Sequence, residues 1–194
     1  MKAAKLFATG VSVLASAILL AGCEGLMQKK SVDIQSLRKV DDKAFINALG
    51  TIGIDESDVD IMSDTSFKFT DYDKDFATVI NLDATSDKMN RYSFTLCADK
   101  ATARTLFDYY YDKCSYVFDA KEFTGVSSHE VNGNDAYVLI DGTYDNKSDN
   151  TYTPYHNAIY LKDDTVIVAI ANDYGLTVNK EINDFLKALG YPHP

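Results

Sequence analysis

Apolar and polar residues repeat along this chain with two different spacings. Near both ends and in the middle, apolar residues recur every three or four positions, as on the buried face of a helix. These stretches predict a helix that starts at Asp41 or Asp42 and ends at Gly50, a central helix over 99–114 and a last helix over 178–189. The residues predicted to be buried are Ala44, Phe45, Ala48 and Leu49, then Ala103, Leu106, Phe107, Tyr110 and Cys114, and finally Val178, Ile182, Phe185, Leu186 and Leu189.

Elsewhere the apolar residues alternate with polar ones, which is the period of a β-strand. This alternation predicts strand residues at Phe67 and Phe69 and strands near 77–83, 91–97, 115–119, 135–141, 156–162 and 165–171. The segment 84–90 suits a hairpin loop, and 162–165 suits a compact turn. Residues 166–171 are apolar at every position, which predicts a central strand covered on both faces. The acidic segment 51–65 predicts an irregular connection.

The order of these elements is helix, strands, helix, strands and helix. It predicts a single α+β domain over 41–194, with a largely antiparallel sheet of about five to seven strands and about three helices packed on it. The segments 45–50 and 185–190 share a pattern of apolar residues that ends in glycine. This similarity indicates either a duplicated half-domain or the common appearance of amphipathic helices that end in glycine.

The first 23 residues have the three-part plan of an export signal. Lys2 and Lys5 give a basic start, and residues 6–20 are apolar, uncharged and too short for a comfortable membrane span. Small residues then precede a cysteine. The four residues Leu20-Ala21-Gly22-Cys23 resemble the lipobox of bacterial prolipoproteins.

The lipobox resemblance implies a lipid anchor on Cys23. In that family the cysteine thiol receives a diacylglyceryl group, and cleavage before the cysteine makes it the N-terminus, which carries a further acyl chain. The resemblance therefore implies a signal peptide over 1–22 and a lipidated N-terminus with a tether over 23–40. It also implies an extracytoplasmic protein held on the bacterial cell membrane, because two or three acyl chains attach a protein lastingly.

The charge of the chain excludes some classes of partner. The formal net charge is −10, and removing residues 1–22, which hold two lysines and no acidic residue, changes it to −12. Nucleic-acid binding needs clustered Lys and Arg, so a nucleic-acid partner is not expected. Close contact of the domain with an anionic bilayer is also disfavoured.

The two remaining cysteines are predicted to be buried free thiols. Export permits a disulfide between Cys97 and Cys114. However, Cys97 ends a predicted strand and Cys114 ends the helix that follows, which separates them by roughly 20 Å. A disulfide needs Cα atoms within about 7 Å. Free thiols are therefore favoured, with a bridge as the alternative.

One polar segment is the candidate ligand-binding region. Residues 141–150 predict a flexible loop, and Tyr144, Tyr152, Tyr155 and His156 lie in it or just after it. Aromatic rings on a loop supply contact area for a sugar or a peptide at a low entropy cost. Loops held by a rigid sheet are also the usual place for binding.

Other motifs do not predict catalysis or a metal site. Asp71, Asp73 and Asp75 match the start of a calcium loop, but Phe76 and Leu82 stand where such a loop needs Gly and Glu. We therefore expect a solvated acidic turn there. The sequence has no histidine and cysteine spacing typical of zinc, no phosphate-binding glycine loop and no nucleophile elbow.

These observations predict a non-catalytic binding or interaction module of the cell envelope, without a cofactor other than its lipid. The partner would be an envelope protein, a peptide or a glycan. The alternatives are a lipoprotein that captures a small ligand and, less favoured, an envelope enzyme. A flat tyrosine-rich face would favour a macromolecular partner, whereas a deep polar cleft would favour capture or catalysis.

Overall fold

An antiparallel sheet forms the centre of the computed structural model, which describes residues 32–148, 150–171 and 178–194. Its seven strands in these ranges are β1 (Asp60–Lys68), β2 (Asp75–Thr85), β3 (Arg91–Cys97), β4 (Phe123–Asn132), β5 (Asp135–Asn146), β6 (Thr151–Lys162) and β7 (Thr165–Ile170). Their order across the sheet is β1-β2-β3-β7-β6-β5-β4. All neighbouring strands are antiparallel, which confirms the predicted α+β class.

The helices cover both faces of this sheet. They are α1 (Asp42–Thr51), α2 (Lys100–Cys114) and α3 (Val178–Ala188). The side chains of Asp41 and Asp99 cap α1 and α2 by accepting backbone N–H groups at 2.8 and 2.7 Å. Helices α1 and α3 pack on one face and α2 on the other, so the domain has three layers.

Strand β7 contributes buried apolar side chains to both faces of the sheet. Ile167 and Ala169 join the core beneath α1 and α3, whereas Val166 and Val168 join the core beneath α2. The prediction of a central strand covered on both faces is therefore confirmed. Phe45 of α1 and Phe185 of α3 meet edge to face with ring centroids 5.4 Å apart, so the two similar segments pack against each other.

The N-terminal arm, residues 32–40, is part of the folded domain. Its apolar side chains Val32, Ile34, Leu37 and Val40 are buried in the α1 and α3 core. The Tyr191 hydroxyl donates to the Arg38 carbonyl at 2.6 Å, which fixes the arm to the C-terminus. Residues 32–40, which were predicted as part of the tether, thus pack against the domain. The predicted signal peptide, Cys23 and the rest of the tether lie outside the described residues.

Two predictions of secondary structure before β4 are wrong. The segment predicted as a strand at 115–119 contains a one-turn 3₁₀ helix, Ser115–Val117, which continues the end of α2 and buries Val117. Strand β1 begins at Asp60, inside the segment predicted to be irregular. As an edge strand, β1 pairs only with β2 and leaves most side chains exposed, so its sequence lacks the apolar alternation of a buried strand.

The buried face of α2 differs from the prediction at one position. Ala103, Leu106, Phe107 and Cys114 are buried as predicted, but Tyr109 is buried more deeply than Tyr110. In α1, Ala44 is exposed rather than buried.

Both described cysteines are buried free thiols, as predicted. Burial raises the pKa of the Cys97 thiol and that of the Cys114 thiol to about 12.

Candidate ligand-binding cleft

The four residues predicted to bind a ligand do not form one site. Tyr144 and Tyr155 lie on the face of the sheet that carries α2 and pack against its core. Tyr152 and His156 lie on the opposite face, because residues at even positions along β6 share a face with buried Ala158 and Tyr160. The predicted site is therefore divided between two sides of the domain.

The predicted loop over 141–150 is mostly strand. Strands β5 and β6 stay paired as far as Asn146 and Thr151, so only four residues of the chain connect them. Threonine and tyrosine are common along these strand ends, and both residue types favour strands. The alternation of side chains, rather than their closeness in sequence, then decides which of them meet.

His156 connects the sheet to α3. Its side chain is 3 % exposed, its Nδ1 lies 3.0 Å from Oδ1 of Asp141, and its Nε2 lies 3.0 Å from Oδ1 of Asn183. Both ring nitrogens are therefore occupied by the protein. This arrangement holds α3 in place and leaves the imidazole little opportunity to contact a ligand.

Tyr144 and Tyr155 contact Tyr116, which the sequence did not indicate as a site residue. The Tyr116 ring meets that of Tyr144 edge to face at 5.4 Å, and its hydroxyl forms a hydrogen bond with that of Tyr155. Tyr116 is 49 % exposed, and Tyr152, on the other face, is 63 % exposed. We call Tyr116, Tyr144 and Tyr155 the tyrosine cluster.

A concave site lies elsewhere on the α2 face. A cleft of about 720 Å³ separates the C-terminal half of α2 from the sheet, and we call it the α2 cleft. The roof of this cleft is formed by Phe69, Tyr109, Tyr110 and Lys113. The floor is formed by strand residues Asp83, Arg91, Ser93, Val168 and Ile170. Asp58 and Asp60 lie beside the floor. This volume falls in the range of small-molecule sites.

The roof of the α2 cleft is fixed by contacts to the β1–β2 connection. The rings of Phe69 and Tyr109 stack with centroids 3.9 Å apart. The Tyr109 hydroxyl donates to Asp71 at 3.2 Å, and Lys113 forms an ion pair with the same carboxylate. The predicted acidic turn therefore neutralises Lys113, and Asp73 of that turn pairs with Lys68.

The floor of the α2 cleft is polar at its β2–β3 end. Asp83 pairs directly with Ser93 across the two strands, and Arg91 lies two residues from Ser93 on the same face. Asn81 donates to Asp83 at 2.5 Å and accepts from the buried Thr95 hydroxyl at 2.7 Å. These hydrogen bonds fix the orientation of the Asp83 carboxylate.

The Tyr110 hydroxyl interacts electrostatically with both charges of the floor. Burial raises the pKa of Tyr110, the Asp83 carboxylate raises it further, and the Arg91 guanidinium opposes these effects. The phenol therefore stays protonated at neutral pH, where it can donate a hydrogen bond but cannot act as a base. The cleft is suited to binding rather than to proton transfer by this group.

A second cavity, of about 540 Å³, lies beside the N-terminal arm. Two of its four charged residues have structural roles, because Lys39 pairs with Asp164 at 2.5 Å and Asp41 caps α1. Its walls are mainly apolar side chains of α1, β2 and β3, among them Ile80, Phe94 and Leu96. The α2 cleft is the better candidate, since it is the larger of the two and combines the opposite charges of Asp83 and Arg91 with the rings of Tyr109 and Tyr110.

Sequence reasoning missed the α2 cleft, although one signal pointed to it. The alternation along β3 places Arg91, Ser93 and Thr95 on one face. A polar face is expected to meet water, yet α2 covers this part of the sheet. Only the path of α2 shows that polar residues end up beneath a helix.

The described residues give no independent sign of a metal or a membrane span. No group of three His, Cys, Asp or Glu residues among them could hold a metal ion. None of the helices in the described ranges has the length and apolar character needed to cross a bilayer. Comparisons with protein-family models, with curated proteins and with solved structures give no match.

Proposed function

We propose that this chain is an exported lipoprotein, anchored to the bacterial cell membrane through lipidated Cys23, that captures a small ligand in the α2 cleft. The observation that carries the capture function is the cleft itself, which combines aromatic and aliphatic walls with charged groups on one side. Such a combination is typical of small-molecule sites. The lipobox supports the anchor.

The position of the N-terminal arm supports this arrangement. Residues 24–31 join Cys23 to Val32 and span at most about 30 Å when extended. Val32 is buried on the face of α1 and α3, whereas the α2 cleft lies on the opposite face of the sheet. A short anchor on one face leaves the cleft on the other face accessible in the envelope.

The anchor is tested by Cys23→Ala in the native host. We expect the variant to lose both palmitate labelling and membrane fractionation, because the lipid is attached to this thiol. Cys114→Ala is the matched control and should keep both, since Cys114 is buried in the core. Continued palmitate labelling of Cys23→Ala would contradict the lipobox assignment.

The capture function is tested by filling the α2 cleft. Ser93 is half-buried on the floor, so the indole of Ser93→Trp should occupy ligand space. Thr124→Trp, on the exposed edge strand β4, is the control. In a ligand-observed NMR screen of small polar metabolites on the full chain in detergent, ligands should bind the control and not Ser93→Trp. Equal binding to both variants would place the ligand outside the cleft.

The tyrosine cluster supports a second candidate function, contact with an envelope protein, a peptide or a glycan. Its observation is the exposed ring of Tyr116 packed beside Tyr144 and Tyr155. Tyrosine supplies contact area and a hydroxyl at a low entropy cost. A partner of this kind should bind Ser93→Trp normally and lose affinity for Tyr116→Ala.

A further inference from the structure

Two opposite charges lie unpaired on the floor of the α2 cleft. Asp83 is opposite Ser93 and Arg91 is opposite Thr85, so Asp83 and Arg91 are diagonal neighbours whose Cα atoms lie about 7–8 Å apart. Within the described ranges, no ion pair joins them, and the Arg91 guanidinium has no hydrogen-bond partner. A guanidinium has five N–H donors in a fixed fork that matches a carboxylate. Its donors are therefore available to a ligand.

The acidic side of the cleft contains two carboxylates in register. Asp60 of β1 is directly opposite Asp83 of β2 on the same face of the sheet. Like charges directly opposite each other repel. An ammonium group placed between them would relieve this repulsion. The floor is thus anionic at Asp60 and Asp83 and cationic at Arg91.

Apolar surface adjoins both charges. Val168 and Ile170 continue the floor beyond Ser93 and Arg91, and the rings of Tyr109 and Tyr110 lie above it. A ligand that spans the two charges can therefore place an apolar group against these walls. Burial of that group would supply much of its binding free energy.

We propose that the α2 cleft binds a free α-amino acid with an aromatic or branched apolar side chain. Its ammonium group lies at Asp60 and Asp83, its carboxylate at Arg91, and its side chain among the apolar walls. This inference rests on the proposed function, that the cleft captures a ligand.

The spacing of these two residues favours an amino acid over a peptide. Both charged groups of an amino acid are bonded to the same carbon, so they fit between diagonal neighbours. Each added residue separates the two termini by up to about 3.5 Å more. A dipeptide should therefore leave one of its termini away from its partner.

The test is calorimetric titration of the full chain in non-ionic detergent with matched probes. L-Phenylalanine and L-leucine carry both charges; phenethylamine lacks the carboxylate, and 3-phenylpropionate lacks the ammonium. We expect L-phenylalanine to bind at least about tenfold more tightly than either truncated analogue and than glycyl-phenylalanine. A separate titration with calcium chloride alone tests whether the two carboxylates instead form a metal site.

Variants assign each charge to its partner. Arg91→Gln should weaken L-phenylalanine about tenfold and leave phenethylamine unchanged, because only the carboxylate contact is lost. Asp83→Asn should weaken both of these probes and leave 3-phenylpropionate unchanged. Asp60→Asn, at an exposed position, repeats this test with little risk to folding. Arg91→Lys retains the positive charge but lacks the forked N–H donors of a guanidinium. Its affinity for L-phenylalanine should therefore lie between those of wild type and Arg91→Gln.

Three results would overturn the proposal. The first is a dissociation constant above roughly 1 mM for either amino acid. The second is equal affinity for phenethylamine and L-phenylalanine. The third is binding of calcium and of no other probe. If phenethylamine alone binds and Ser93→Trp abolishes its binding, the capture function stands and the amino-acid assignment fails. If Ser93→Trp abolishes the binding of no probe and of no compound in the NMR screen, both the capture function and the amino-acid assignment fail.

Discussion

The buried carboxylate of Glu181 should contribute strongly to the stability of the domain. Glu181 lies on α3, and its side chain is 7 % exposed. Its Oε1 accepts hydrogen bonds from Asn90 Nδ2 at 3.0 Å and from the Tyr92 hydroxyl at 2.9 Å, and its Oε2 pairs with Lys88 at 2.9 Å. One side chain thus joins α3 to the β2–β3 hairpin, at a distance of about ninety residues in sequence.

The cost of removing this carboxylate can be worked from its donors. Glu181→Ala leaves Asn90 and Tyr92 buried without this acceptor, and each such loss costs about 1–3 kcal/mol. Lys88 is 47 % exposed, so its ion pair adds less than about 1 kcal/mol. We therefore expect Glu181→Ala to lower the free energy of unfolding by about 3–5 kcal/mol. Glu181→Gln keeps one acceptor oxygen and should cost about 1–2 kcal/mol.

The effect of Glu181 should also depend on pH. Burial raises the pKa of Glu181, but the contacts from Lys88, Asn90 and Tyr92 outweigh it, so the pKa lies below its usual value of 4.5. The ionised form therefore stabilises the fold fully above pH 4.5, and this contribution is lost as the pH falls towards the lower pKa of the folded state. The difference between wild type and Glu181→Gln should shrink over that interval.

Urea unfolding followed by far-UV circular dichroism measures these free energies, with an unchanged slope against urea as the check on comparability. Lys88→Met is the matched control and should cost less than about 1 kcal/mol. A cost below about 1 kcal/mol for Glu181→Ala would refute the assignment of Glu181 as the acceptor of two buried donors. So would a difference between wild type and Glu181→Gln that stays constant from neutral pH to below pH 4.5.

Two further predictions concern packing and thiol reactivity. Gly142→Ala should cost about 2 kcal/mol or more in thermal or urea unfolding, because its Cβ would lie 2.5 Å from the Thr124 carbonyl oxygen. Gly50→Ala, whose Cβ would meet no atom within 4 Å beyond its chain neighbours and its own helix backbone, should be neutral or stabilising, and an equal loss in both variants would contradict this account. Cys97 and Cys114 should resist a thiol reagent at neutral pH until urea unfolds the chain, because burial raises the pKa of each to about 12. Rapid reaction of the folded chain would show that the thiols are accessible.

The elements that the sequence predicted correctly are those with a strong local signal. Helix α2 and strand β7 were predicted because their apolar residues follow the period of a buried face. The segment 115–119 was misassigned because a short apolar stretch fits a helical turn as well as a strand. The first part of strand β1, before Phe67, was missed because an edge strand needs few apolar residues. Local patterns therefore identified the buried elements and failed at the edges.

The site residues were harder to predict, because they meet through strand register and helix path. Tyr144 and His156 were grouped by their closeness in sequence, yet the pairing of β5 with β6 places them on opposite faces. Asp83 and Arg91 flank a hairpin that was predicted. The alternation of side chains along its two strands could therefore have placed both residues on one face of the sheet. No local sequence pattern predicts that α2 lies above them.

The α2 cleft follows from a mismatch between a helix and the sheet beneath it. The N-terminal half of α2 presents Ala103, Leu106 and Phe107 to strands that are apolar on this face, and there the layers close. The C-terminal half passes over the polar β2–β3 end of the sheet, where close packing would bury the charges of Asp83 and Arg91. Buried charges without partners are costly, so these layers stay apart and the charges stay accessible. The same polar residues that weaken the packing here are those available to bind a ligand.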